Sequence, residues 1–334
     1  MDTILIFSCI ILAGFLQGSF ILPMTMVNNW KWENTWFVFS FFGMVALNLL
    51  LAFIFINNLQ VVYLSAATKD IFMLCIFGFG WGFGAVLFGI GMEKLGMALG
   101  YPIIMGLIAS IGGLLPMFVL HSSDAFKPSG LIMIAGTIIV VVGIIICSKA
   151  ASLRSSENKE SIKKIGLSSG LIIAVAAGLL SCLPNIGFSF GTGIKQTAIA
   201  QGTSPAMAEN AVWALFFSIG FVPNFLYTCW LMIKNKTLVL FTQKPVRNIG
   251  LGLLMSIMWI GSFYIYGYSS SKLSNWGNII GWPLFITISI VVGNILGIWR
   301  GEWKESPIKA KRLLNIGLAT LMLAMVILGI SHLF

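Results

Sequence analysis

The chain has 334 residues, of which 58% are hydrophobic and only 9% are charged, and its mean hydropathy is +0.97. Soluble domains carry about 25% charged residues, so this composition excludes a soluble globular protein. The net charge of +10 would suggest a nucleic-acid partner in a soluble protein. Here the basic residues lie in short segments between apolar spans, where they set the orientation of a membrane protein, and no nucleic-acid partner is expected.

Ten stretches of the chain are long and apolar enough to be spanning helices, which need about 20 residues. They are residues 4–26, 36–56, 71–92, 97–119, 129–148, 167–190, 207–233, 248–269, 277–299 and 313–333. The first stretch has neither a basic segment before it nor a convincing cleavage site after it, so we expect a retained helix and not a signal peptide. The sequence therefore predicts an all-α integral membrane protein, with residues 1–334 forming a single membrane domain.

The basic residues are distributed unevenly between the two sides that ten spans define. The side that carries both termini has four of them, and the other side has the remaining 16. The four are Lys69, Lys127, Lys195 and Lys272. Because basic loops stay in the cytoplasm, both termini are predicted to be periplasmic, and residues 149–166 are predicted to be a cytoplasmic basic linker.

The chain contains an internal repeat. The segment Trp259–Leu273 matches Trp81–Leu95 at a constant offset, with the two tryptophans aligned. An acidic residue followed by asparagine also opens the second span of each half, at Glu33 and at Glu209. Each half then holds five spans, in residues 1–148 and 167–334. Because five is an odd number, the two repeats are predicted to be inverted, with a site between them.

Glycines crowd the third span, where eight of the residues from 78 to 102 are glycine. Gly78 and Gly82 are four residues apart, which places bare backbone on one helix face and lets another helix approach closely. Trp81 stands among these glycines. On its own it reads as a space-filling side chain, but its repeat mate Trp259 makes a site near the pseudo-two-fold axis equally plausible.

The eighth span offers the side chains that a sugar site needs, which are an aromatic platform and hydrogen-bonding groups. Trp259, Ser262, Phe263 and Tyr266 follow the spacing of one helix face. This pattern is also that of an ordinary packed helix face, so it leaves both interpretations open.

Polar residues interrupt the spans that open the two repeats. Gln17 lies in the first span, and Asn185 and Ser189 lie in the sixth. Polar side chains at membrane depth face a cavity or a neighbouring helix, and we expect a cavity here. Pro184 should break the helical hydrogen-bond ladder beside them. The break either frees carbonyl groups for a water-filled site or is a packing kink.

Proton coupling needs a titratable group, and few acidic residues are available. Glu209, at the outer start of the seventh span, is the candidate relay. Glu33, Glu93 and Glu302 neighbour lysine or tryptophan and are expected to be structural anchors at the membrane interface. Lys195 is expected to extend outward to the membrane surface.

Other function classes lack their motifs in this sequence. The chain has two histidines, no HExxH or nucleophile motif and no GxxxxGK[ST] loop, so neither an enzyme nor direct use of a nucleotide is expected. Five cysteines lie inside apolar spans without a metal-ligand spacing, and no cofactor is expected. A channel fits inverted repeats less well than an alternating-access transporter does.

Several short motifs, in order along the ten spans, resemble those of the L-rhamnose–proton symporter family, which belongs to the drug/metabolite transporter superfamily. They are Trp30-Lys31-Trp32-Glu33 with Trp36, Phe77–Gly84, Leu95-Gly96 with Gly100, Trp282, and Gly301-Glu302-Trp303-Lys304. The resemblance implies ten helices in two inverted five-helix repeats. It also implies uptake of a deoxyhexose, most simply L-rhamnose, coupled to protons across the inner membrane of a bacterium.

One position departs from the family pattern. An acidic residue is expected four positions before Trp282, and Asn278, which cannot carry a proton, stands there. The alternative within the superfamily is an exporter of drugs or amphipathic metabolites. The predicted substrate-binding residues are Gln17, Trp81, Asn185, Ser189, Trp259, Ser262, Phe263, Tyr266, Asn278 and Trp282, with Glu209 for proton coupling.

Overall fold

A computed structural model describes most of the chain. It covers residues 3–95, 125–157, 164–273, 277–299, 301 and 303–330, with scattered positions between 103 and 123. Throughout these residues the regular elements are helices, and no strand is found among them. The all-helical part of the prediction is therefore confirmed.

The first half contributes six described helices. They are α1 Thr3–Ser19, α2 Trp32–Ser40, α3 Leu47–Phe55, α4 Leu59–Ser65, α5 Thr68–Leu95 and α6 Pro128–Glu157. A short 3₁₀ helix, Leu22–Met26, extends α1, and a π-helical turn, Phe41–Ala46, joins α2 to α3 without a break. Such π turns are often found at functional positions in helices.

The second half contributes seven described helices. They are α7 Lys164–Leu180, α8 Leu183–Phe190, α9 Thr192–Ala200, α10 Asn210–Lys234, α11 Pro245–Lys272, α12 Gly277–Trp299 and α13 Ile308–Ile330. A 3₁₀ helix, Leu238–Thr242, lies between α10 and α11.

Seven helical stretches within the described ranges are long and apolar enough to cross a membrane. They are Ile4–Met26, Trp32–Phe55, Thr68–Gly91, Pro128–Ala150, Asn210–Lys234, Pro245–Lys272 and Ile308–Leu328, each at a predicted span. Large apolar side chains such as Phe72 and Ile172 are exposed on the helices, as contact with lipid requires. The chain is thus a multi-pass membrane protein. The predicted span 97–119 lies largely outside the described residues.

The predicted span 167–190 is divided in two. α7 ends at Leu180, a turn occupies Ser181 and Cys182, and α8 begins at Leu183. Pro184 has no N–H to donate to the carbonyl of Leu180, so the ladder stops where the sequence predicts it. The predicted span 277–299 coincides with α12.

The predicted linker 149–166 is more helical than a solvated loop. α6 continues through Lys149 to Glu157, and α7 already begins at Lys164. The reason is local propensity, because alanine, leucine, lysine, arginine and glutamate are good helix formers and residues 149–157 contain neither proline nor glycine. Residues 158–163 lie outside the described part of the chain.

The chain forms two compact units, and each unit draws on both halves of the sequence. The first comprises residues 1–86 and 186–272, and the second comprises residues 87–185 and 273–334. In the first unit α11 packs on α1 and α2, and α10 packs on α2 and α3. In the second unit α6 and α13 pack along one another. The contact units therefore do not follow the bounds of the predicted repeats, 1–148 and 167–334.

Glycines of α5 make the close approach that their spacing predicts. A Cβ atom on Gly78 would overlap the carbonyl oxygen of Phe216, and one on Gly82 would overlap the carbonyl oxygen of Gly220. The same Cβ on Gly82 would lie 2.9 Å from Cγ of Pro223. Even alanine at these positions would push α5 away from α10, so the contact between these two helices depends on the absence of side chains at Gly78 and Gly82.

Candidate functional site

One face of α11 is buried along two helical turns. Trp259, Ser262, Phe263 and Tyr266 all point into the first unit, as the sequence spacing predicts. On the same helix Gly261, by contrast, has open space where a Cβ would stand. Burial is therefore confined to one side of α11, where apolar and hydroxyl side chains both point into the interior of the first unit.

The two repeat-related tryptophans stack on each other. The ring centroids of Trp81 and Trp259 are 5.9 Å apart with an interplanar angle of 17°. Each ring also covers a glycine from the other half of the sequence. Cε3 of Trp259 lies 3.3 Å from a Cβ built on Gly43, and Cε3 of Trp81 lies 2.6 Å from one built on Gly220. The same contact is thus made twice, between equivalent positions of the two halves.

Phenylalanine rings surround this tryptophan pair. The ring centroid of Phe217 lies 4.7 Å from that of Trp259 and 5.1 Å from that of Trp81. The ring centroids of Phe39 and Phe263 lie 5.6 Å and 5.1 Å, respectively, from that of Trp259. The tryptophans are only 8% and 4% exposed. We call the residues Phe39, Trp81, Trp213, Phe216, Phe217, Trp259 and Phe263 the aromatic cluster.

Four members of the aromatic cluster were not predicted as site residues from the sequence, namely Phe39 on α2 and three residues on α10. Trp213, Phe216 and Phe217 are fully buried on α10, and Trp213 stacks on Phe217 at 5.2 Å and 8°. Their spacing of three and four residues along one helix was a usable signal.

Gln17 meets the predicted face of α11 directly. Its Oε1 accepts a hydrogen bond of 2.9 Å from Oγ of Ser262, which also lies 2.6 Å from the carbonyl oxygen of Trp259. Gln17 itself is half-buried near the end of α1. A hydroxyl and an amide therefore lie beside the aromatic cluster, which is the combination that the sequence led us to expect.

Glu209 is a buried carboxylate at the start of α10. It is the N-cap residue of that helix, is 4% exposed, and its Oε1 pairs with the ammonium of Lys195 on α9. Its Oε2 has no hydrogen-bond partner among the residues that the structure describes. The expectation that Lys195 extends outward was wrong, because α9 turns its ammonium onto Glu209.

Burial raises the pKa of Glu209 to about 7, although the charge and hydrogen bond of Lys195 oppose the rise. Oε2 lies 3.8 Å from a Cβ built on Gly267 of α11, and the carboxylate interacts electrostatically with the neighbouring Tyr266. The Tyr266 hydroxyl is hydrogen-bonded with Ser270. Glu209 therefore titrates near neutral pH and adjoins the predicted sugar face.

The repeat mate of Glu209 has a different environment. Glu33 is also buried, but its Oε1 accepts hydrogen bonds of 3.0 Å from Nδ2 of Asn235 and Oγ1 of Thr237. These donors are neutral, in contrast to the ammonium of Lys195. The anchoring role predicted for Glu33 agrees with these contacts.

Residues 3–333 match the family described as L-rhamnose-proton symport protein. The chain belongs to this family. Relatives named L-rhamnose-proton symporter from Escherichia coli O1:K1, Shigella boydii serotype 18 and Shigella dysenteriae serotype 1 are each 23% identical over 320 residues. The alignments cover 93% of this chain and 93% of each relative. The L-rhamnose-proton symport family is a family of transporters and not of enzymes, as the sequence predicted.

The remaining predicted residues of this family member either belong to the second unit or have side chains that are not described. Trp282 belongs to the second unit, where its Nε1 donates to the carbonyl oxygen of Ile108 at 3.2 Å. The side chains of Asn185, Ser189 and Asn278 lie outside the described residues. The structure thus brings together seven predicted site residues, all in the first unit: Gln17, Trp81, Glu209, Trp259, Ser262, Phe263 and Tyr266.

Proposed function

We propose that this protein takes up L-rhamnose or a related deoxyhexose together with protons by alternating access. The relatives that cover 93% of the chain carry the name L-rhamnose-proton symporter, and none of these comparisons favours the exporter. The observation that carries the proposal is the buried Glu209, with a pKa of about 7, next to a face of aromatic and hydroxyl side chains.

Sugar recognition is proposed for the α11 face. The apolar face of a deoxyhexose ring stacks on an aromatic side chain, for which Trp81, Trp259 and Phe263 are the candidates. Its hydroxyl groups need donors and acceptors, which Gln17 and Ser262 supply. The proposed site also includes Tyr266, Asn185, Ser189, Asn278 and Trp282.

Glu209 is proposed to carry the coupled proton. The carboxyl group is protonated below about pH 7, and as the pH rises through that value it becomes a carboxylate held by Lys195. A proton taken up from an acidic periplasm is then released to a more alkaline cytoplasm, provided that Glu209 is opened to each side in turn. No further titratable group is required for this cycle, even though Asn278 replaces an acid.

The full architecture is proposed as ten spans in two inverted five-helix repeats. The reciprocal tryptophan–glycine contacts support it, and so does a second pair of reciprocal contacts. Asn57, which follows α3, donates to the carbonyl oxygen of Gly202 in the segment between α9 and α10 at 2.9 Å, and Asn235, which follows α10, donates to Glu33 at the start of α2 at 3.0 Å. In each case an asparagine that follows the second-position span of one repeat binds the segment that leads into its counterpart or the first turn of that counterpart.

Both termini are proposed to face the periplasm, because 16 of the 20 basic residues then lie in the cytoplasm. A reporter fused after Phe334 should therefore be exposed to the periplasm, and one fused after Arg154 should remain cytoplasmic. Fusions that both report the same side would contradict the ten-span arrangement.

The function is tested by uptake of radiolabelled L-rhamnose into proteoliposomes. We expect accumulation when the lumen is more alkaline than the outside, and none after an uncoupler removes the gradient. L-Fucose and a non-deoxy hexose serve as competitors that define the sugar class. Accumulation that persists without a proton gradient, or failure to transport any deoxyhexose, would contradict the proposal.

A further inference from the structure

A groove of about 490 Å³ lies in the second unit, where the end of α12 meets the start of α13. Lys304 and Lys311 line it together with Trp303, Ile298 and Leu314. The groove therefore combines two lysines with a lining that is otherwise mainly apolar. This combination matches an amphiphile with an anionic head, and the groove shares no residue with the predicted sugar face.

Backbone and side-chain hydrogen bonds connect the turn before α13 with Lys311. Gly301 has a φ of +79°, a conformation that favours glycine, and its carbonyl oxygen accepts from the backbone N–H of Lys304 at 2.9 Å. The ammonium of Lys311 donates to the carbonyl oxygen of Lys304 at 2.8 Å. One ammonium is thus tethered across the turn and does not swing freely in water.

The charges at this turn are unfavourable for the helix that carries them. Residues 298–315 contain five basic and two acidic residues, and Lys309, Lys311 and Arg312 all lie within the first five residues of α13. A helix N-terminus carries a partial positive charge, so each cation there costs about 0.3–1 kcal/mol, whereas an anion is stabilised. The preference of basic loops for the cytoplasmic side explains why basic residues occur in this segment. It does not explain why two of them line the same groove.

The surroundings of the groove favour a lipid over a soluble anion. Trp299, which is 77% exposed, and Ile308, which is 71% exposed, flank the turn at the ends of two apolar helices. Tryptophan at such a position is typical of the headgroup level of a bilayer. Basic grooves between membrane helices bind the headgroups of anionic lipids.

We propose that this groove binds the headgroup of an anionic phospholipid, with its phosphate between Lys304 and Lys311 and its acyl chains along Ile298 and Leu314. The site is independent of the transport proposal, since none of these residues belongs to the predicted sugar or proton sites.

The test measures lipid retained by the purified protein in nanodiscs that contain phosphatidylglycerol or phosphatidylcholine, by native mass spectrometry. The double variant Lys304→Gln/Lys311→Gln should lose its preference for phosphatidylglycerol by about thirtyfold, since each of the two lysines near the surface contributes about 1 kcal/mol. The control Lys309→Gln/Arg312→Gln removes the same charge from exposed positions of the same turn and should keep the preference within about twofold. Lys304→Arg/Lys311→Arg should restore it.

Three outcomes would overturn the proposal. Equal loss in both double variants would indicate general surface charge and no groove site, and no loss in either would exclude a role for the lysines. Displacement of the lipid by excess inorganic phosphate would assign the groove to a soluble anion. Since the arginine variant keeps both charges, its recovery separates lost binding from misfolding.

Discussion

The Glu209→Gln variant should lose accumulation of the sugar against its gradient but keep exchange of labelled for unlabelled sugar. Glutamine preserves the shape of the side chain at the start of α10 but cannot take up and release a proton. Accumulation requires net proton movement, whereas exchange requires only the loaded carrier. The measurement is uptake into proteoliposomes with and without a pH gradient, beside counterflow of labelled sugar at equal pH.

Glu33→Gln is the matched control for this variant. Glu33 is the other buried acid at the start of a second span in its repeat, and glutamine can still accept from Asn235 and Thr237. It should therefore accumulate sugar normally. Normal accumulation by Glu209→Gln, with unchanged pH dependence, would reduce Glu209 to a structural anchor. In that case Asn278→Asp becomes informative, because a new pH dependence would indicate a coupling position that this chain lacks.

The charge of Lys195 sets the direction in which the pH dependence of uptake should shift when this residue is replaced. Its positive charge opposes the rise that burial causes in the pKa of Glu209. Replacing Lys195 with glutamine should move the pH midpoint of uptake to a higher value, since the buried carboxylate loses its counter-charge.

A folded-state pKa of Glu209 above the ordinary value of 4.5 also means that folding stability falls as the pH rises from about 4.5 through 7. Thermal stability of Glu209→Gln should show less of this fall than the wild type.

The Trp259→Ala variant should abolish transport and also destabilise the protein by about 3–5 kcal/mol, the usual cost of truncating a buried aromatic side chain. Trp259 contacts Phe39, Trp81, Phe217 and Phe263, so its removal opens the centre of the aromatic cluster. The measurements are the melting temperature of the purified protein and the kinetics of sugar uptake.

Trp259→Phe separates the binding role from the packing role. It keeps most of the buried ring and should fold, but the smaller platform should raise KM for the sugar. Trp230→Ala is the control, since that ring is 52% exposed on α10 and should leave both melting temperature and uptake unchanged. Unchanged uptake kinetics in both Trp259→Ala and Trp81→Ala would place the sugar elsewhere.

Hydropathy and helical periodicity were sufficient to predict seven of the ten proposed spans and the buried face of α11, since both are local properties of the sequence. The contact of Trp81 with Trp259 agrees with the predicted repeat, which aligns the two tryptophans. The ion pair of Lys195 and Glu209 was not predicted. It depends on how α9 packs against the start of α10, which an apolar run with one lysine does not reveal.

The π-helical turn between α2 and α3 was also beyond prediction. Its six residues, Phe41–Ala46, are as apolar as their neighbours, so composition does not mark it. The turn includes Gly43, over which the Trp259 ring lies. The position of the π-helical turn is therefore explained by its packing against residues that lie more than 200 positions later in the sequence, which local sequence does not reveal.

The interleaving of the two units sets the time at which the protein can assemble during synthesis. Trp81 can contact Trp259 only after the ribosome has synthesised Trp259, which is 178 positions later in the chain. At about 5–20 residues per second, that separation corresponds to roughly 10–35 s between the two rings leaving the ribosome. Over this interval the second unit's residues 87–185 are made while the first unit is still half complete. The early helices must therefore wait in the bilayer with their glycine and tryptophan faces against lipid, and neither unit can finish before the ribosome is well into the second repeat.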